Sequence, residues 1–323
     1  MIAGMTTTSA YTTSIAFSGN KIAFDISHGG YHATPTDLGP IIGNLTAAGN
    51  EVIYINDTWG IPDDIDALFL TQPDDNYTVA QQTDIKNWFA LGDKLLWASG
   101  DSDYAGLYNQ WAVNGVLDTL GSIARMGGCS ISDSVYNDGA SYRAVATEVG
   151  YGDPLYDEVA DEITTGMTAG VVFHGPCAVV AYNGYDYRDL RYGYSIFPQR
   201  VMVIMTYSEN ATADDTDVSD SPIDLYDGTD GGLYPAIVYE NMTEYGSHLI
   251  VSGEAIYTFY KYMYNQATES GVYNGGIHYG QMLVNNILNY FLKTPEVTKT
   301  PFSIALIPLA FIGVIYAISR RKK

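Results

Sequence analysis

The chain has 323 residues, and 46% of them are hydrophobic, which is enough to form the core of one large domain or two small ones. It carries 37 acidic side chains against 15 basic ones, a formal net charge of −22. Such a surface repels nucleic-acid phosphates and anionic lipid headgroups, which argues against a direct role in nucleic-acid binding.

Strands and helices alternate in the first third of the chain. The apolar patterns predict strands at 21–26, 51–55, 66–70 and 94–98. They predict helices at 36–49, 79–91 and 105–120, each ending close to a glycine. This alternation predicts βαβ units that form a parallel sheet with helices on both faces.

The middle of the chain has strand-like segments separated by turns rather than by long helices. These segments are 142–149, 170–174, 178–182 and 201–207. An Asp-rich loop at 209–232 follows, then strands at 236–239 and 248–252 and a closing helix at 276–292. We therefore expect an α/β, flavodoxin-like fold with a mostly parallel sheet. Its β-rich middle section is either the second half of that sheet or an inserted β layer.

Several runs resemble the class I glutamine amidotransferase-like fold: KIAFDISHGGYH, DALFLTQP, DKLLWASGD and VNGVLDTLG. The ending SHLIVSGEAIYTF, followed by GQMLVNNILNYFL, resembles the non-catalytic branch of that fold. That branch includes gliding-motility transporter auxiliary and intraflagellar-transport-type domains and many prokaryotic surface proteins, and an archaeal surface protein is the expected context. The resemblance spans about residues 20–293 and implies a fold rather than an activity.

Catalytic members of the family need a cysteine on the tight turn that follows a strand. The matching positions 99–104 read SGDSDY and contain no cysteine. Ser102 could be a nucleophile, but Tyr104 replaces the second glycine of the G-x-S-x-G pattern. The alternative is a turn and helix cap formed by Asp101, Ser102 and Asp103, and it predicts that amidotransferase chemistry is absent.

Polar residues are expected to gather at the carboxyl edge of the sheet, where open α/β sheets bind ligands. Two histidines and a carboxylate after the first strand could bind zinc, but the Gly29-Gly30 pair predicts a loop rather than a helix carrying both histidines. Histidines that form hydrogen bonds within that loop are the alternative. The candidate ligand-binding residues are Asp25, His28, His32, Ser99, Asp101, Ser102 and His174.

The Asp-rich loop could bind calcium, which prefers six to eight oxygen ligands. The candidate ligands are Asp215, Asp217, Asp220 and Asp224. The EF-hand pattern is not met, and a solvated acidic loop is the alternative. No other cofactor is expected.

The C-terminal region predicts a membrane anchor. Residues 302–319 form an uncharged apolar run, followed by the basic residues RRKK. The predicted organisation is an N-terminal segment (1–20), an amidotransferase-like ectodomain (21–293), a stalk (294–301), a transmembrane helix (302–319) and a cytoplasmic basic tail (320–323). A removable sorting signal is the alternative for the apolar run. The sequence thus predicts a single-pass protein of the cell membrane with an extracellular N-terminal domain, although residues 1–20 make a poor signal peptide.

Two further patterns are typical of an extracellular protein. Cys129 and Cys177 are predicted to form a disulfide, with two buried thiols as the alternative. Sequons for N-glycosylation occur at Asn44, Asn56, Asn76, Asn210 and Asn241.

No motif indicates a specific reaction. We therefore expect a non-enzymatic cell-surface binding or structural module, surface-layer-associated or transporter-accessory, which recognises a ligand, a carbohydrate or a partner protein. An extracellular hydrolase acting on sugars or amides is the alternative, and a purely structural coat protein is a third possibility. The hydrolase requires that Ser102, Asp101 and His28 converge in one pocket.

Overall fold

The computed structural model describes residues 14–30, 34–56, 58–104, 110–149, 157–191, 200–216, 225–226 and 231–292. In chain order its strands are β1 (Lys21–Asp25), β2 (Glu51–Ile55), β3 (Ala67–Thr71), β4 (Leu95–Ser99), β5 (Ala124–Met126), β6 (Ser130–Asp133), β7 (Val145–Val149), β8 (Val171–Val172), β9 (Val179–Tyr182), β10 (Tyr187–Arg188), β11 (Val201–Tyr207), β12 (Ala211–Asp214), β13 (Pro235–Met242) and β14 (Ser247–Ser252). The α-helices are α1 (Gly39–Ala47), α2 (Val79–Phe89), α3 (Gln110–Leu120), α4 (Asp157–Ile163) and α5 (Gly280–Phe291).

The central sheet has nine strands in the order β2-β1-β3-β4-β14-β13-β11-β7-β8. The first five strands pair in parallel, and every later pair is antiparallel. The prediction of a mostly parallel, flavodoxin-like sheet covered by helices on both faces is therefore wrong, because the sheet is mixed and the helices are few. The reason lies in the connections, since parallel neighbours need a crossover of a dozen or more residues and a hairpin such as β13–β14 leaves no room for one.

Aromatic side chains fill the core beside the parallel strands. Phe24 stacks on Phe69 with ring centroids 4.5 Å apart, and Phe69 stacks on Trp97 at 5.7 Å. Tyr257 meets Phe69 and Trp97 edge to face. All four are buried, and burial of each such side chain stabilises the fold by about 1.5–3 kcal/mol. These contacts fix the strands whose ends form the site.

Helix α2 shows how the local sequence sets an element. The Thr78 side chain accepts a hydrogen bond from the Gln81 backbone N–H, and the Gln81 side chain accepts one from the Thr78 N–H, which makes a capping box. The helix buries Ile85, Trp88 and Phe89, at the i, i+3, i+4 spacing of one face. α2 is thereby held against the sheet, and the loop before it is fixed in place.

Two small antiparallel sheets flank the central one, with the orders β10-β9-β5 and β12-β6. In the second, Ala211 pairs with Asp133 and Asp214 pairs with Ser130. The ends of β6 and β12 carry polar side chains to a cavity described below.

The predicted membrane-spanning helix is not part of the described structure. Among the residues described, no helix is long and apolar enough to cross a bilayer, and α5, with 12 residues, is well short of the roughly 20 required. The predicted stalk (294–301), transmembrane helix (302–319) and tail (320–323) lie outside the described residues. The predicted localisation as a single-pass membrane protein is corrected accordingly.

The predicted disulfide is also wrong. Cys129 and Cys177 are both buried thiols, and no bond joins their sulfur atoms. The Cys129 Sγ accepts a hydrogen bond from the Ala178 N–H at 3.4 Å, whereas the Cys177 Sγ lies 3.7 Å from the Gly253 carbonyl oxygen and 3.9 Å from the Met126 Sδ. Burial raises the pKa of the Cys177 thiol well above its usual value, so that thiol is unreactive.

Candidate functional site

Three adjacent parallel strands bring polar residues to one edge of the sheet. Ser99 at the end of β4 pairs with Thr71 of β3 and with Ser252 of β14. Each strand is followed within two residues by a polar side chain, and these are Gln72, Asp101 and Glu254. Because the strands are parallel and in register, the three side chains meet beyond the same edge.

These three side chains form a cluster that we call the carboxyl–amide cluster. The Gln72 side-chain amide donates one hydrogen bond to the Asp101 Oδ2, at 3.0 Å, and one to the Glu254 Oε1. Asp101 is 7% exposed, Gln72 3% and Glu254 0%. Two buried atoms, the Glu254 Oε2 and the Gln72 Oε1, have no hydrogen-bond partner among the described residues. The hydrogen-bonding groups of the cluster are therefore only partly satisfied within the described structure.

Burial disfavours the charged form of both carboxyl groups. It raises the pKa of Glu254 well above the usual range, and the nearby charge of Asp101 raises that pKa further. It raises the pKa of Asp101 as well, against the lowering effect of the hydrogen bond from the Ser102 N–H. Within the described ranges no lysine or arginine forms an ion pair with either carboxyl group. The pair therefore keeps its protons at pH values where an exposed carboxyl group is ionised.

The backbone of Gln72 is unusual in the same place. Its φ angle is +45°, in the left-handed region that non-glycine residues rarely adopt. Such a conformation costs on the order of 1 kcal/mol or more and persists only when its surroundings fix it. The two hydrogen bonds that the Gln72 amide donates supply part of that fixation, so the cluster and the turn after β3 hold each other in place.

A cavity of about 450 Å³ lies beside the cluster, and we call it the edge cavity. It is lined by residues from the turn after β4, from β6, from 141–142, from 174–175 and from the end of β12. Asp101 belongs both to this lining and to the carboxyl–amide cluster. The lining further includes Ser102, Tyr104, Ser132, Tyr142, His174 and Asp214.

His174 lies between two tyrosines in the wall of the edge cavity. Its ring meets Tyr142 and Tyr260 edge to face, with centroids 5.2 and 5.0 Å away. Burial and the positive charges of Arg143 and Lys261 lower the pKa of His174 to about 4. The imidazole is thus uncharged at neutral pH.

The hydrogen bonds of Ser102 to other described residues are those of a turn, and no histidine takes part in them. Its hydroxyl lies 3.5 Å from the Asp101 Oδ1 and accepts a long hydrogen bond, 3.4 Å, from the Tyr104 N–H. Its own N–H donates to the Asp101 Oδ1 at 2.7 Å, which is the geometry of a turn. Because burial raises the pKa of Asp101, the ionised form that a general base requires is disfavoured.

Two of the predicted site residues, Asp25 and His28, lie in a separate cluster. The His28 Nδ1 is 2.9 Å from the Asp25 Oδ2, and the Tyr77 hydroxyl donates to the same oxygen at 2.5 Å. The His28 ring packs on Tyr77 with centroids 3.8 Å apart and meets Trp59 edge to face. Burial alone would lower the pKa of His28, but the hydrogen bond and charge of Asp25 outweigh it, and the pKa is raised. The ion pair stabilises the loop after β1 and does not line the edge cavity.

Of the seven predicted ligand-binding residues, the structure describes six, and these lie in three separate places. Asp101, Ser102 and His174 line the edge cavity, and Asp25 and His28 pair elsewhere. Ser99 is buried in the core, where its hydroxyl contacts Ser252 and donates to Tyr257. His32 lies outside the described residues.

The structure describes only part of the predicted calcium loop. Asp215 is described, whereas Asp217, Asp220 and Asp224 lie outside the described residues. In the described ranges, no group of three or more His, Cys, Asp or Glu side chains could hold a metal ion.

The predicted glycosylation sites differ in exposure. Asn56, Asn76 and Asn210 are exposed, whereas Asn44 and Asn241 are half-buried. The Asn44 amide donates to the Tyr264 hydroxyl at 2.9 Å, so a glycan there would disturb that contact. Glycosylation stays a prediction.

Sequence reasoning missed Gln72, Glu254 and Tyr142. The first two carry a usable signal, because each follows a buried strand by one or two residues, as Asp101 does. Tyr142 carries none, since it reaches the cavity through the antiparallel segments that fold over the edge.

No protein-family model and no curated protein sequence matches this chain. The structure is similar to a solved structure titled "mmIFT52 N-terminal domain", with a TM-score of 0.55, 10% sequence identity and coverage of 84% of this chain and 96% of that one.

Two other solved structures are less similar. One is the exo-beta-1,4-mannosidase Op5Man5 from Opitutaceae bacterium strain TAV5, with a TM-score of 0.34, 10% identity and coverage of 74% of this chain and 32% of that one. The other is a protein described as a GMP synthase component from Thermoplasma acidophilum, with a TM-score of 0.37, 8% identity and coverage of 84% and 94%. These two scores are too low to define a shared fold. The expected resemblance to an intraflagellar-transport-type domain is thus confirmed at the level of the fold alone, through the IFT52 N-terminal domain.

Proposed function

We propose that this protein is a non-enzymatic binding module, of the non-catalytic branch of amidotransferase-like domains, that holds a small polar molecule in the edge cavity. The observation that carries the proposal is the cavity itself. Its volume of about 450 Å³ falls within the roughly 300–1,000 Å³ that is typical of small-molecule sites. It lies beyond the carboxyl ends of the parallel strands, where open α/β sheets bind ligands.

The chemistry of the lining supports binding rather than catalysis. No cysteine occupies the turn after β4, and Ser102 is hydrogen-bonded as a turn residue. The hydrolase alternative needs His28 near Ser102 and Asp101. His28 instead pairs with Asp25 outside the cavity lining, so no observation favours the hydrolase.

The proposal is tested by blocking the cavity. Ser141 is exposed and lines the cavity, so Ser141→Trp should fill its space without disturbing the core. Thr243→Trp is the matched control, because Thr243 is exposed in the β13–β14 turn at the opposite edge of the sheet. A library of small polar fragments is screened against the wild type and both variants by saturation-transfer NMR.

We expect fragments that bind the wild type and Thr243→Trp and that lose at least about tenfold in affinity for Ser141→Trp. A tenfold loss corresponds to about 1.4 kcal/mol. If no fragment distinguishes Ser141→Trp from the control, the edge cavity is not a binding site and the proposal is wrong.

A further inference from the structure

The edge cavity offers hydrogen-bonding groups without charge. Seven of its twelve lining residues carry a hydroxyl group, which is a donor and an acceptor at once. The hydroxyls of Ser132 and Ser141 form no hydrogen bond to any other described residue. A ligand that carries several hydroxyl groups of its own would match this lining, since every ligand hydroxyl also needs a donor and an acceptor.

Aromatic rings stand at the same cavity. Tyr142 is 47% exposed and Tyr104 58% exposed, although both are large side chains that proteins usually cover. The Arg143 guanidinium lies over the Tyr142 ring, 5.7 Å from its centroid, and pairs with Glu269 at 2.7 Å. These contacts hold the Tyr142 ring in a fixed position. A fixed, half-exposed aromatic ring can pack against an apolar C–H surface of a ligand.

The lining itself offers an anion no positive charge. Among the described residues that form it, none is a lysine or an arginine, and His174 is uncharged at neutral pH. Arg143 and Lys261, whose charges act on His174, both pair with Glu269. Asp214 is exposed at the rim, where an ion pair with a ligand cation would contribute little. The chain as a whole carries a net charge of −22, which repels anionic ligands further.

The geometry points to a neutral carbohydrate as the ligand of the edge cavity, with Tyr142 packing against the sugar ring and Asp101 bonding a sugar hydroxyl at the base. This inference rests on the proposed function and deepens it. Sugars combine many hydroxyl groups with apolar C–H patches. The hydroxyl groups of the lining match the sugar hydroxyls, and the tyrosine rings match the C–H patches. Asp101 joins the cavity to the carboxyl–amide cluster, where it is held by Gln72 and the Ser102 N–H and is therefore preorganised.

The test uses sugars that share one ring and differ in charge. The methyl glycosides of glucose, galactose and mannose are the neutral probes, and glucosamine and glucuronate are their cationic and anionic counterparts. Saturation-transfer NMR detects binding, and calorimetry gives the affinities for wild type and variants. Tyr142→Ala removes the ring, and Tyr185→Ala is the matched control because Tyr185 is 90% exposed and outside the cavity lining.

We expect at least one neutral glycoside to bind and glucuronate not to bind. Glucosamine should bind no more tightly than its neutral counterpart. Tyr142→Ala should lower the affinity for the neutral glycoside roughly three- to tenfold. Tyr185→Ala should leave its affinity unchanged, and Ser141→Trp should abolish binding.

Other outcomes separate the two proposals. If glucosamine alone binds, the ligand is a cation, so the carbohydrate inference is wrong while the binding module stands. If no sugar binds but the fragment screen yields ligands that Ser141→Trp excludes, the same conclusion holds. If neither sugars nor fragments distinguish Ser141→Trp from Thr243→Trp, both proposals are wrong.

Discussion

The buried carboxyl pair should make the protein less stable as the pH rises, and Glu254→Gln should remove part of that effect. Glu254 is 0% exposed, and its Oε2 has no hydrogen-bond partner among the described residues. Burial raises its pKa in the folded state above the unfolded value. Between those two pKa values the folded state binds more protons than the unfolded state, so the free energy of unfolding falls as the pH rises. Below the unfolded pKa both states are protonated and the difference vanishes.

The size of the effect follows from the elevated pKa. A tenfold change in the acid dissociation constant corresponds to about 1.4 kcal/mol. The free energy of unfolding of Glu254→Gln should therefore exceed that of the wild type by a margin that grows as the pH rises from about 5 to about 8, by about 1.4 kcal/mol for each tenfold by which burial weakens the acid. His28, whose pKa is also raised, loses its stabilising charge in the same direction, but it does so in both proteins and cancels in the difference.

Urea unfolding at constant ionic strength, followed by tryptophan fluorescence, measures these free energies at each pH. Glu209→Gln is the control, because Glu209 is exposed and should keep the pH dependence of the wild type. Asp101→Asn should raise the free energy of unfolding at high pH by a similar amount. The double variant should gain less than the sum of the two single gains, because each single change already relieves the repulsion felt by the other carboxyl group. If Glu254→Gln and the wild type keep parallel pH profiles, the carboxyl–amide cluster is ionised without cost and our reasoning is wrong.

Three further predictions concern the rest of the fold. Gly253→Ala should destabilise the protein by about 3 kcal/mol in urea unfolding, because the new Cβ would meet the Cys177 carbonyl oxygen. Gly43→Ala should instead stabilise the protein by up to about 1 kcal/mol, because Gly43 lies in a helix with open space around the new Cβ. The pKa of His278 is lowered to about 4 by burial, so stability should fall as the pH drops from about 6.5 towards 4, and His278→Gln should flatten that loss in acid unfolding curves. Iodoacetamide should leave Cys129 and Cys177 unmodified in the folded protein and should alkylate both in urea without reductant; mass spectrometry that finds a linked pair would contradict the structure.

The parallel half of the sheet could be predicted because its signals are local. β2 spans residues 51–55 as predicted, and β1, β3 and β4 differ from their predicted bounds by one residue at one or both ends. These strands are short apolar runs bounded by turns, and helices with clear apolar faces separate them. The strand ends could therefore be located, and with them Asp101.

The antiparallel half could be predicted only as separate strands. β11 matches its predicted bounds, but β5, β6, β10 and β12 were missed. β12 reads ATAD within an Asp-rich stretch, and its strand conformation depends on pairing with β6 rather than on its own composition. Which strand pairs with which is a non-local property, so the sequence did not show that these segments fold over the carboxyl edge and enclose the edge cavity.

The predictions of a disulfide and of a single ligand-binding site failed for a related reason. Two cysteines and several polar residues were grouped by residue type and by position at one sheet edge, but contact depends on the direction of each side chain. His28 turns back to Asp25, which balances its charge within its own loop. Among the described residues Asp101 has no such local partner of opposite charge, and only the fold brings Gln72 and Glu254 to it.

The carboxyl–amide cluster reduces stability in a way that core packing alone would not require. An apolar side chain at position 254 would avoid both the buried carboxyl group and its oxygen without a partner among the described residues, and a polar group left in that condition costs about 1–3 kcal/mol. The strained Gln72 backbone adds to that cost beside the same strand ends. Strain and unsatisfied polar atoms in a cluster that shares Asp101 with the lining of the edge cavity are typical of a functional site rather than of a scaffold. The stability gained in Glu254→Gln should therefore be accompanied by weaker ligand binding in the edge cavity, because the new side-chain amide could donate to Asp101 and so compete with the Gln72 amide that positions this carboxyl group.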